Sequence, residues 1–119
     1  MPHHSLHHQL DAWVDAHFDE QVQFLQALVQ VPTDTPPGNN APHAERTAEL
    51  LAVMGFEAKK YPVPADEVKA YGLQSITNLI VRRHYGQGLT IALNAHGDVV
   101  PPAPAPAQVG SETLPAPWA

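Results

Sequence analysis

Residues 89–95 read LTIALNA, with aliphatic side chains at both odd and even positions before the run stops at His96-Gly97-Asp98 and enters the prolines at 101 and 102. A strand that wets one face alternates apolar with polar residues, so a run apolar on both faces calls for cover on both sides. The expectation is an interior strand of an α/β fold, with helices above and below. In such sheets ligands gather beyond the carboxyl ends of the strands, which is where His96 and Asp98 fall. An imidazole there can ligate a metal through one nitrogen while a carboxylate accepts the N–H of the other, fixing tautomer and ring orientation. Gly97 keeps the turn between them unhindered. Standing alone, the triplet reads as a polar strand end in a turn, and only its flanks give it weight.

Upstream, Leu10, Trp13, Val14, Phe18, Val22, Leu25, Leu28 and Val29 recur at three- and four-residue steps. That period predicts helix over about 8–30 with one buried face, on which Trp13 and Phe18 are core residues. Asp19 and Glu20 suit the start of a second helix, so a bend near Phe18 is the alternative to one continuous rod. The stretch PTDTPPGNN then reads as a surface loop, because proline lacks the donor a helix needs and Asn and Gly favour turns. Asn40 suits the cap of a helix reaching about Met54, with Ala44, Thr47, Ala48, Leu51 and Met54 inward and Gly55 as its stop. FEAKKYPV predicts a short strand near a sheet edge, since Pro62 and Pro64 cannot donate to a ladder. PADEVKAYG predicts one or two helical turns. TNLIVRRH and LTIALNA, joined by YGQG, have the spacing of a hairpin.

The chain has 119 residues, 44% of them hydrophobic, which suits one compact domain. Twelve acidic residues against six basic give a net charge of -6, and no basic cluster is present to hold a phosphate backbone, so nucleic acid is not an expected partner. The absence of cysteine removes disulfides, thiolate metal sites and a Cys nucleophile, leaving histidine and carboxylate to carry any chemistry. No signal-peptide pattern and no apolar run of spanning length is present, so no membrane role is expected and a cytoplasmic location follows by default. His3, His4, His7 and His8 form two i, i+4 pairs that would suit a transition metal on a helix, but residues 1–8 read more simply as a flexible, solvated N-terminus. His43 and His84 are expected to face solvent, and Arg82 and Arg83, on alternate faces, read as a solvated pair. Residues 101–119, with eleven Ala or Pro in nineteen positions, are expected to form a disordered tail outside a partial α/β domain over 9–100.

The run TNLIVRRHYGQGLTIALNAHGDVVPP resembles the first metal-binding segment of the co-catalytic zinc aminoacylase and carboxypeptidase family, which includes acetylornithine deacetylase and succinyl-diaminopimelate desuccinylase. FLQALVQVPTDTPPGNN is similar to that family's first helix and following loop, and AERTAELLAVMGFEAKKYPV to its second helix and first strand. The resemblance extends over roughly residues 9–102. It implies a zinc-peptidase-like sheet flanked by helices, zinc as cofactor, His96 as a zinc ligand, and Asp98 as the carboxylate that steers the metal site. It also implies N-acyl amino acids or peptides as substrates, cleaved by amide hydrolysis.

The departures are equally specific. Family members follow the prolines with a glycine and a tryptophan-containing loop, a carboxylate bridging two zinc ions, a Glu-Glu pair and a late histidine. Here Glu112 is the only acidic residue after Asp98, and no histidine follows His96. A catalytic zinc needs about three protein ligands and an open position for water. The expectation is therefore the N-terminal, truncated part of a metal-dependent amidohydrolase that is inactive as this chain. The alternative is a non-enzymatic remnant or small α/β interaction module, self-associating through an exposed sheet edge.

Overall fold

The computed structural model describes residues 2–101, 108–109 and 112–113. It is a small mixed α/β domain with four helices and a two-stranded antiparallel sheet. Helices α1 (Pro2–Ala16) and α2 (Phe18–Val29) break at His17, whose φ of -109° and ψ of 12° leave the helical region. The bend anticipated near Phe18 is therefore present, with Asp19 and Glu20 in the first turn of α2, where the helix dipole favours acidic side chains. Trp13 and His17 stack across the break, ring centroids 4.1 Å apart.

The helix expected from about residue 8 begins earlier, with α1 starting at Pro2. Proline is tolerated in the first helical turn, where its missing donor has no intrahelical partner to lose, and the apolar period simply extends back to Leu6. The burial expected of Trp13 and Phe18 is also corrected, since they are 58% and 59% exposed. Their stripe is amphipathic as the spacing demands, but the contact of α2 with α3 covers only part of it and leaves Trp13 and Phe18 largely in solvent.

Helix α3 (Ala41–Val53) follows Asn40, whose side chain makes no cap hydrogen bond. Of the five positions expected to point inward, Ala44 is buried, Thr47, Ala48 and Leu51 are half-buried, and Met54 is exposed. Gly55 ends this helix at φ 85°, with the Gly55 amide donating to Ala52 O and the Phe56 amide to Leu51 O. Strand β1 (Ala58–Pro62) pairs antiparallel with β2 (Thr77–Val81) in the register Ala58 to Val81 and Pro62 to Thr77. Between them the short helix α4 (Ala65–Ala70) buries Val68, the most enclosed side chain of the described residues. Strands β3 (Gln108–Val109) and β4 (Glu112–Thr113) form a separate two-residue ladder. The rest of the tail expected over 101–119 lies outside the described residues from 102 onward.

The largest correction concerns residues 89–95. They form no strand, and Leu89, Ile91 and Leu93 are 99%, 84% and 95% exposed. The hairpin expected through YGQG does not close; β2 takes β1 as its partner instead. A segment apolar on both faces is stable as a strand only when covered twice, and among the described residues nothing covers it. The interior place expected for 89–95 is therefore corrected, whereas β1 does lie at a sheet edge as expected, as does β2 in a two-stranded sheet.

Candidate functional site

The loop after α2 holds the His96 segment in place. Thr33, buried, donates its hydroxyl to Gly97 O at 2.8 Å, while the Val99 amide donates to Thr33 O at 3.1 Å and the Thr35 amide to Val99 O at 2.8 Å. Asp34 and Val99 thus form a parallel bridge across 65 positions of sequence. The same loop is pinned at its other end, where Asn40 donates its amide to Ser75 O at 3.0 Å and the Gln74 and Ser75 amides both donate to Gly38 O. Ser75 adds its hydroxyl, which donates to Asn39 Oδ1 at 2.7 Å and accepts from the Ala41 amide at 3.0 Å. The stretch read as a surface loop is therefore a clamp between α2, α3 and two distant segments.

Gly38 shows why that clamp needs glycine. Its φ is 74°, which strains any L side chain, and a Cβ there would stand 2.6 Å from Leu73 Cδ2, so the leucine would have to shift as well.

On this support His96 and Asp98 meet. His96 Nδ1 lies 3.0 Å from Asp98 Oδ1 and 2.9 Å from Asp98 O. When Nδ1 carries the proton, the carboxylate accepts it, and Nε2 is left as the lone-pair nitrogen. The expected pair is thus brought together, with the imidazole 84% exposed and the carboxylate 48%. Such exposure makes the pair itself a weak contributor to stability.

His43, expected to face solvent, is corrected. It is half-buried on α3, and its Cε1 lies 2.9 Å from where a Cβ on Gly97 would stand. Desolvation by this burial lowers its pKa below the usual histidine value of 6.5, favouring the neutral ring. The signal in the sequence was the i, i+1 and i, i+4 relation of His43 to Ala44 and Thr47, which places it beside the inward face of α3. Thr33 carried no comparable signal. Arg83 is likewise anchored, donating to Gly55 O at 3.2 Å with its guanidinium 5.1 Å from the Phe56 ring centre. His7 and His8 are exposed on α1, while the side chains of His3 and His4 lie outside what is described.

A cavity of about 670 Å³ opens beside this pair, bounded by Thr33 and Asn40 from the clamp, His43 from α3, Leu79 from β2 and the 94–98 segment. Asn40 Oδ1 is a buried acceptor without a partner in this wall. The donor set does not by itself make a zinc site: among the described residues no three His, Asp or Glu side chains come close enough to share an ion. The arrangement can orient one imidazole nitrogen and present it beside a cavity whose wall is mainly apolar, with Leu28, Leu73, Ile76 and Leu79 beside the polar groups of Thr33, Asn40 and His43. Among the described residues no helix is long and apolar enough to cross a membrane. No family model, curated protein or solved structure matches this chain.

Proposed function

We propose that these residues form the N-terminal part of a zinc-dependent amidohydrolase of the aminoacylase and carboxypeptidase type, and that the 119-residue chain alone does not hydrolyse N-acyl amino acids or peptides. One observation carries the reading: His96 is oriented by Asp98 through Nδ1 on a segment clamped by Thr33 and Thr35, so that Nε2 is the nitrogen offered to a ligand. Carboxylate-oriented imidazoles are the usual form of a histidine metal ligand. In this proposal His96 supplies one ligand position and Asp98 fixes its tautomer, while a bound zinc would polarise an amide carbonyl or acidify water. The inactivity follows from donor count. One oriented histidine falls short of the roughly three protein ligands a catalytic zinc requires, and among the described residues Asp98, already engaged with His96, is the one carboxylate that borders the cavity.

The experiment is a zinc titration of the full chain followed by imidazole NMR, with amidase assays on N-acetyl amino acids and dipeptides in parallel. The expected result is a perturbed His96 Nε2 with the Nδ1 proton retained, stronger general uptake by the N-terminal histidines, and no turnover above background. A response confined to His3, His4, His7 and His8 would remove the ligand role of His96. Turnover that survives loss of those four and disappears in His96→Ala would overturn the inactivity.

A further inference from the structure

Residues 3–8 read HHSLHH, and helix α1 carries all six as part of Pro2–Ala16. In a helix, residues four apart are neighbours on adjacent turns, with about 5–6 Å between Cβ atoms. Position 3 therefore lies one turn below position 7, position 4 one turn below position 8, and Asp11 one turn beyond His7. At about 100° per residue these five positions fall within an arc of about 140°, and Leu6, Leu10 and Trp13 fall outside it. On this face His7, His8 and Asp11 are exposed. They take no part in the ion pairs of the described residues, which are Arg46 with Glu49, Lys60 with Glu45 and His96 with Asp98.

We propose that this face of α1 binds a divalent transition-metal ion through its i, i+4 histidine pairs, His3 with His7 and His4 with His8. Two histidines so spaced on one helix face are the arrangement by which helical zinc motifs grip their ion. Imidazole nitrogen suits zinc, copper and nickel, whereas magnesium and calcium require oxygen donors. Among the described residues no three donors converge, but a chelating pair needs only two, with water in the other positions. Charge supports a cation here. Asp11 and Asp15 stand on the same face and oppose the positive end of the helix dipole, and no Lys or Arg precedes Arg46.

The helix also has a use for the ion. Leu6, Leu10 and Trp13 remain more than half exposed, so packing does little to hold α1, and a helix of 15 residues is marginal without such support. Only the helical arrangement juxtaposes the paired histidines, so the ion binds the folded turns in preference to the frayed ones and stabilises them. The role is structural and does not depend on the cavity beside His96, whose own imidazole resonance reports that reading separately.

The test uses the full chain. Calorimetric titration with Zn²⁺ is expected to show binding that Mg²⁺ does not reproduce, with a gain of helix by circular dichroism and slower exchange of the amides of residues 6–10. Bound Cu²⁺ is expected to show nitrogen coupling from two imidazoles in its electron paramagnetic resonance spectrum. Ser5→Pro is the deciding variant, because it keeps every histidine but drives His4 out of the helical region and so separates both pairs. It should weaken zinc binding about tenfold or more, by removing the effective concentration at which the helix presents the second imidazole. His7→Gln/His8→Gln should weaken it at least as much. Unchanged zinc affinity in Ser5→Pro overturns the proposal, since a flexible histidine cluster would behave that way. Zinc binding without any gain of helix, or uptake indifferent to His7→Gln/His8→Gln, does so as well.

Discussion

The Thr33 hydroxyl donates to Gly97 O at 2.8 Å, joining the loop after α2 to the residue between His96 and Asp98. This bond, the Val99 amide on Thr33 O and the Thr35 amide on Val99 O are what hold the site in a domain whose buried apolar core among the described residues is Ala44 and Val68. The site is therefore carried by directional bonds more than by packing, and its behaviour should follow from them.

Thr33→Val keeps the shape of the side chain and removes the hydroxyl, leaving Gly97 O without that donor. The expected loss is about 1–2 kcal/mol of stability, read as a lower urea midpoint at unchanged slope. Faster exchange of the Val99 and Thr35 amides should accompany it, while amides in β1 exchange as before. An unchanged Val99 amide would mean the clamp does not depend on the hydroxyl.

Alanine at Gly38 and at Gly55 separates strain from space. Both glycines have positive φ, 74° and 85°, but only Gly38 has a neighbour, Leu73 Cδ2 at 2.6 Å, where the new methyl would stand. Gly55→Ala should cost about 1–2 kcal/mol for the left-handed backbone alone. Gly38→Ala should cost that plus roughly 1–3 kcal/mol of overpacking. Equal unfolding midpoints for the two variants would contradict the contact.

Gly97→Ala drives a methyl into the His43 ring, at 2.9 Å from Cε1 and 3.1 Å from Nδ1. The expected cost is about 1–3 kcal/mol. His43→Ala in the same chain should recover part of it, giving a coupling energy of about 0.5 kcal/mol or more in a double-mutant cycle. Strictly additive effects would show that the ring yields freely.

Burial lowers the His43 pKa, so below its unfolded value of 6.5 the unfolded chain binds more protons at this position than the folded one. Its contribution makes stability rise with pH through the window beneath 6.5 and level off above it. His43→Gln should flatten that part of the slope, measured by urea titrations between pH 5 and 7.5. A slope unchanged by the substitution would place the titration elsewhere.

The local elements were legible because their causes are local. The break at His17 follows from the acidic residues that begin α2, the end of α3 from Gly55, and β1 and β2 from short β-rich runs bounded by proline and polar residues. The pairing of His96 with Asp98 was legible too, since two residues of spacing around a glycine suffice to bring Nδ1 to the carboxylate.

Sequence alone determined α2, α3 and α4, most of α1, the strands β1 and β2, and that an imidazole and a carboxylate end the 89–95 run. Only the tertiary structure decided what covers what. Residues 89–95 stay exposed because an apolar pattern states a need for cover and not its supply. Trp13 and Phe18 remain half in solvent for the same reason. Thr33 and His43 became parts of the site through contacts with Gly97 from 64 and 54 positions away. Periodicity and propensity act over a few residues, whereas such contacts depend on loop closure and on the path of the whole chain between them, which no short pattern encodes.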